Sequence, residues 1–302
     1  MDLVGYIRTR LIVAFLRLVL YFKGTGSLVF PSPSTPVLYL PTRNKGRSLK
    51  AYVYQSATSA THSGPKPVLL NFHGSGFIFH LHGMDLTFCK FIADRTSYTV
   101  MDVGHRLGPE DPFPAALNDT EDAIKYILAR PDEYDISRIS LSGNSSGANI
   151  TMAAAAILFP KGTIHSLIAF YPMIDLATDP WQKTAPEKGE QGTASNPPWV
   201  FQVFHAAYAP PGIDRKDPRV SPIFADPSAF PQNVLIVTAG RDELTPESEA
   251  LGEKLKQTDG RNVVIKRFEN CGHGWDKHPN GDVQLSAAKE AYQLTVDFLR
   301  NT

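Results

Sequence analysis

The sequence predicts an α/β fold, a mostly parallel sheet with helices packed on both faces. Three observations predict it. Strand-like and helix-like segments alternate along most of the chain, which is the pattern of βαβ units. Two of the strand segments, Leu69-Leu70-Asn71-Phe72 and Val234-Leu235-Ile236-Val237, are almost continuously apolar, as strands covered on both faces need to be. The chain has 302 residues, 42% of them hydrophobic, enough to bury one large core.

The first element is a helix. Leu3, Ile7, Leu11, Phe15, Leu18 and Phe22 recur at helical spacing, with Arg10 and Arg17 on another face. The arginines keep any uncharged run well below the roughly 20 residues of a membrane span, and Arg17 stands where a signal peptide is purely apolar. The expectation is an amphipathic helix packed on a cytoplasmic protein; the alternative is a helix lying on a membrane surface. Lys23-Gly24-Thr25-Gly26-Ser27 and the prolines at 31, 33 and 36 then mark a linker. Strands are expected at 37–40, 49–55, 67–72, 98–103, 136–141, 166–171, 233–238 and 262–268, the opening ones as an antiparallel hairpin. Helices are expected near 87–97, 115–130, 145–159, 247–257 and 287–301. The stretch 179–230 breaks the alternation. It is rich in proline, holds the short aromatic helical segment Trp199–Phe204, and is too long for a tight connection. An insertion over the C-terminal edge of the sheet would form a lid there.

Composition removes several function classes. Thirty basic and thirty acidic residues balance, so no electrostatic footprint for nucleic acid exists. Cys89 and Cys271 have no metal or disulfide spacing and read as free thiols. No internal repeat is present. Asn118, Asn144 and Asn149 match the glycosylation pattern, but Asn144 and Asn149 sit in a turn and a helix that suit no glycan.

Residues 143 to 147 read Gly143-Asn144-Ser145-Ser146-Gly147, between a β-branched run and the helical pattern that begins at Ala148. Strand, G-x-S-x-G turn and helix make a nucleophile elbow, which raises the serine Oγ above the sheet edge at a helix N-terminus. Such a Ser145 attacks a carbonyl. His73-Gly74-Ser75-Gly76-Phe77 follows another strand and suits an oxyanion loop, with N–H donors from Ser75 and Gly76 and a third from Ser146. Asp242 and His273 each stand in a loop just beyond a strand, in the chain order Ser, Asp, His. The imidazole moves the Ser145 proton, and the carboxylate fixes its tautomer; neighbouring Glu243 is the other candidate acid. Among the remaining histidines, His80, His82 and His205 are candidates to line the pocket, and His278 reads as surface.

With these pieces assembled, the chain resembles the hormone-sensitive-lipase-like family of α/β-hydrolases from about residue 67 to its end. His73–Phe77 resembles the family's H-G-G-G-F, Gly143–Gly147 its G-D-S-A-G, and Gly240–Leu244 with His273-Gly274-Trp275 its acid and histidine motifs. His105–Ala116 (His-Arg-Leu-Gly-Pro-Glu-Asp-Pro-Phe-Pro-Ala-Ala) is similar to its Y-R-L-A-P-E-x-P-F-P-A-A, a long and specific signature whose role in this setting is structural. The resemblance implies the α/β-hydrolase fold, an eight-stranded, mostly parallel sheet under a helical cap. Residues 1–35 occupy the place of the N-terminal cap helices, 36–302 the catalytic domain, and 179–225 the cap insertion. Asn144, Ser146 and Ser75 depart from the family's acid, alanine and glycine. The implied activity is a serine carboxylesterase that forms an acyl-enzyme on short-to-medium acyl or aryl esters, with no metal or cofactor. Phe77, Phe79, Trp199, Phe201, Phe204 and Trp275 are candidates for its apolar pocket. The rival readings are an acyltransferase using the same triad and a non-catalytic binding relative; plant gibberellin receptors resemble the family but lack the histidine that His273 supplies. The expected partner is a small ester, with a homodimer and peripheral membrane contact through the N-terminal helix left open.

Overall fold

The computed structural model describes residues 3–23, 30–56, 64–187 and 197–302. Most of the expected linker at 23–27 and part of the insertion therefore lie outside the described residues. Helix α1 (Leu3–Lys23) is followed by β1 (Val37–Pro41), β2 (Ser48–Tyr54) and β3 (Lys66–Phe72). Next come α2 (Leu86–Arg95), β4 (Thr99–Val103), α3 (Ala115–Leu128) and β5 (Tyr134–Asn144). Helix α4 (Ser146–Ala153) widens into a π turn over Ala154–Leu158 and leads to β6 (Ser166–Phe170). Helix α5 (Pro198–Tyr208), β7 (Asn233–Arg241), α6 (Thr245–Lys256), β8 (Asn262–Gly272) and α7 (Gly281–Arg300) complete the order.

The eight strands form one sheet in the order β1-β2-β4-β3-β5-β6-β7-β8. β1 and β2 pair antiparallel as a hairpin, β2 joins β4 antiparallel, and every pair from β4 to β8 is parallel. The central strands show why their sequences are apolar throughout. On β3, Val68, Leu70 and Phe72 enter the core under α3 and α4, while Leu69 enters the one under α2 and α7. On β7, Val234 and Ile236 face the first layer, and Leu235, Val237 and Ala239 the second. Side chains alternate faces along a strand, so a strand with helices on both sides needs apolar residues at every position. Each such side chain, fully buried, contributes about 1.5–3 kcal/mol. Cys89 and Cys271 are free and buried in the second layer.

Strands β5 and β8 run three and four residues past their expected ends, and two helices differ from expectation more deeply. Helix α7 begins at Gly281, six residues before 287, because its first turns are solvated and carry no apolar periodicity; Val283 is 64% exposed. Helix α1 forms where expected and packs beside α5, but with the opposite face inward. Val13 is buried, and Arg17 points into the protein. Its guanidinium donates to the carbonyls of Ile78 (2.8 Å) and Gly108 (3.0 Å) and to both carboxylate oxygens of Glu110 (2.9 Å each). The stripe from Ile7 to Phe22 is left exposed. Two carbonyls and a carboxylate satisfied by one arginine outweigh a periodicity that specifies a helix but not the side it buries.

The segment Arg106–Ala116 frames this corner. Arg106 holds the fully buried Asp119 at 2.8–3.1 Å and the carbonyl of Ala115 at 3.0 Å. The Gly108 N–H donates to Phe77 (2.8 Å), and the Phe113 N–H donates to Tyr208 of α5 (2.8 Å). A Cβ at Gly108 would overlap the Ala207 carbonyl, so this contact between loop and α5 requires glycine.

Candidate active site

Four predicted pieces each begin at the first residue past a strand. His73 follows β3, Ser145 follows β5, Asp242 follows β7 and His273 follows β8. These strands are parallel, so all four meet at one edge of the sheet. β5 and β8 stand three places apart, roughly 14 Å at ~4.8 Å per strand, a gap the loop after β8 has to bridge.

The elbow is strained. Ser145 sits at φ 52°, ψ −117°, its N–H donating to the Phe170 carbonyl at 2.9 Å. A Cβ on Gly143 would lie 2.5 Å from the Gly147 carbonyl carbon, and one on Gly147 would overlap the Phe72 carbonyl oxygen. Glycine at both positions is therefore a packing necessity. Ser145 caps α4, whose positive end faces its Oγ.

His273 joins the other two residues. Its Nε2 lies 2.9 Å from Ser145 Oγ, and its Nδ1 lies 2.7 Å from Asp242 Oδ2. Asp242 is fully buried, and its other oxygen accepts the Leu244 N–H at 3.0 Å. Of the two candidate acids, Asp242 holds the ring; Glu243 acts on it only as a further nearby charge. Burial opposes a charged His273, but the Asp242 carboxylate and its hydrogen bond outweigh that and raise the pKa above the ordinary histidine value. Burial raises the Glu243 carboxyl in turn. The ring of Tyr171, first residue past β6, stands edge-on to His273 at 4.8 Å. Sequence reasoning passed over Tyr171, although its place at a strand's C-terminal end was the available signal.

In the loop after β3, Gly76 (φ 54°) and Phe77 (φ 64°) adopt left-handed backbone, while Ser75 does not. Serine at 75 is therefore free of the backbone strain that glycine at this position could have concealed. The two serines that depart from the family pattern meet here. The Ser75 N–H donates to Ser146 Oγ at 2.9 Å, and the two hydroxyls are 3.2 Å apart. Neither the Gly76 nor the Ser146 N–H donates to a turn or loop carbonyl among the described residues.

Under the elbow lies a buried polar network. Asp85 accepts from Asn144 Nδ2 (2.7 Å) and Asn71 Nδ2 (2.8 Å), and its other oxygen lies 2.7 Å from Lys277 Nζ. Lys277 also meets Asp276 at 2.9 Å, and Asp276 accepts from Tyr171 (2.6 Å) and Tyr292 (3.0 Å). Burial works against the Lys277 charge, but Asp276 and Asp85 outweigh it and hold its pKa well above the usual lysine range. The network ties the His273 loop to the residue before Ser145. Nothing local to Asp85 or Lys277 signals it.

The cavity over Ser145 has a volume of about 230 Å³. Phe79 and Phe204 line it as expected, with Leu81, Met84 and Tyr171 besides. The other aromatic candidates pack elsewhere: Phe77 stacks on Tyr208 at 3.9 Å, Phe201 packs against Phe204, Trp275 is buried against Tyr171 and Phe268, and Trp199 is 44% exposed. His278 is exposed and also lines the cavity. His80 and His82 line a second cavity of about 290 Å³ with His73 and His105, and His205 is buried in α5. Among the described residues no group of three or more His, Cys, Asp or Glu is arranged to hold a metal ion.

Residues 69–277 match the model of a family described as alpha/beta hydrolase fold. The chain belongs to the α/β-hydrolase family. Within it, an AB hydrolase superfamily protein of Schizosaccharomyces pombe is 31% identical over 221 residues, 70% of this chain and 63% of the relative's length. Probable carboxylesterase 7 of Arabidopsis thaliana is 26% identical over 278 residues, 85% of each. Among solved structures, the thermostable carboxylesterase EstE1 from a metagenomic library superposes with a TM-score of 0.77 at 25% identity, covering 95% of this chain and 97% of that one. This α/β-hydrolase is carboxylesterase-like in sequence and in fold.

Proposed function

We propose that the protein is a serine carboxylesterase that hydrolyses short-to-medium acyl or aryl esters through an acyl-enzyme. The observation that carries the reading is the unbroken hydrogen-bonded chain from Ser145 Oγ through His273 to Asp242. Ser145 Oγ attacks the ester carbonyl while His273 Nε2 takes its proton, and Asp242 holds Nδ1–H and stabilises the imidazolium. The N–H groups of Gly76 and Ser146 receive the developing oxyanion, joined by Ser75 when it releases Ser146 Oγ. Collapse breaks the bond to the alcohol, which leaves with the His273 proton. Water then gives its proton to His273, attacks the acyl group, and frees acid and serine. A cavity of about 230 Å³ is worth roughly eight water volumes, which suits a small acyl chain or an aryl group between Phe79 and Phe204.

The test is turnover of p-nitrophenyl butyrate by the protein and its Ser145→Ala variant, with products analysed in the presence of a competing alcohol. The expected result is free butyrate and a loss in the variant of roughly a million-fold, the size seen when a serine nucleophile is removed. Undiminished turnover by the variant refutes the mechanism, and butyrate recovered only as the new ester makes the enzyme an acyltransferase.

A further inference from the structure

The exposed face of α1 asks for a partner. Val4, Leu11, Phe15 and Phe22 are 75, 65, 61 and 75% exposed, and Ile7 and Leu18 about half. At 100° per residue these six fall within an arc of about 80°. The helix is not loosely attached, because Val13 and the Arg17 anchors fix its inner face. A contiguous apolar stripe held outward in this way marks an interaction surface.

The charge on α1 selects the partner. Its charged residues are Arg8, Arg10, Arg17 and Lys23, with no acid among them. Arg8 and Arg10 flank the stripe on opposite sides by helical angle, and Arg8 makes no ion pair among the described residues. Pairing with a second copy along this stripe would set Arg8 and the exposed Arg10 against those of the other copy, with only Glu110, already shared by Arg10 and the inward Arg17, to meet them. Anionic headgroups would neutralise Arg8 and meet the exposed Arg10, which lies 3.6 Å from Glu110, while the acyl boundary takes up the apolar side chains. Helix α5, packed against α1, exposes Trp199, and the adjoining turn Pro180–Gln182 exposes Trp181, a side chain suited to the membrane–water boundary. No helix among the described residues is long and apolar enough to cross a membrane, so α1 lies along the surface.

We propose that α1 is a docking helix that seats the protein on an anionic lipid surface, its apolar stripe in the acyl boundary and Arg8 and Arg10 among the headgroups. This rests on the surface alone and is independent of the reaction at Ser145. Flotation with vesicles of phosphatidylcholine and phosphatidylserine tests it, using the full chain and a Leu11→Glu, Phe15→Glu, Phe22→Glu variant. The wild type should float with these vesicles and less with phosphatidylcholine alone. The variant should partition more than about tenfold less while still turning over the water-soluble p-nitrophenyl acetate as the wild type does. If the glutamates impair folding, Phe15→Ser with Phe22→Ser carries the same expectation. A wild type that does not float, or variants that float equally well, overturn the proposal. Sedimentation without lipid reads the rival occupant: equal masses support membrane docking, and a wild-type dimer that the variant splits into monomers overturns it.

Discussion

At Ser145 the backbone is held at φ 52°, and everything within three residues serves that conformation: two glycines that no Cβ can replace, and a helix beginning at the next residue. This is why the elbow was legible in the sequence, since its constraints are local. The positions of Asp242 and His273 were legible for a related reason, because each directly follows a strand of the same parallel sheet. Their protonation gives a prediction. The proposed mechanism needs neutral His273, whose pKa lies above the ordinary value of about 6.5, so kcat/KM should fall as pH drops through a value above 6.5. Asp242→Asn removes the main contribution opposing burial; the limb should then move to lower pH, and turnover should drop about ten-thousand-fold. An unmoved limb would assign it to another group. The contact between Ser75 and Ser146 was not legible, because its partners lie 71 residues apart. Ser146→Ala frees the Ser75 N–H for the oxyanion, so turnover should equal or exceed that of the wild type. A donor is worth about a hundred- to a thousand-fold in kcat, and a loss on that scale would show that the Ser146 hydroxyl itself assists.

Among the elements, the departure at Asn144 makes sense only through α2 and the loop after β8. Asn144 donates to Asp85, which also holds Lys277, so the buried carboxylate that serves the elbow comes from residue 85. Restoring the family's acid with Asn144→Asp would place two carboxylates in contact without the amide donor. The expected cost is about 3 kcal/mol, read from the denaturant midpoint. The loss should shrink as pH falls, because the folded variant gains stability by binding a proton that the unfolded chain holds only at lower pH. An unchanged midpoint at neutral pH would contradict this account of the network. Helix α1 teaches the complementary lesson. Its periodicity gave its existence and length, but its orientation follows from carbonyls at 78 and 108 and a carboxylate at 110, which no pattern within the helix can report.

Across the whole molecule, the alternation of strands and helices yields a parallel sheet, and the parallel sheet brings the strand ends to one edge. That single geometric fact lets His273 lie within hydrogen-bond reach of both Ser145 and Asp242, all three far apart in sequence. The order of strands, with β4 between β2 and β3, and the seating of α5 over Gly76 depend on long-range packing and were beyond local patterns. We propose that this meeting point activates Ser145. The most direct measurement of this activation is mass-spectrometric mapping of the residue modified by a labelled fluorophosphonate, in the protein and in a His273→Ala variant. One adduct is expected, on Ser145, formed far more slowly without His273; an unmodified Ser145, or equal rates in the two proteins, would overturn that activation.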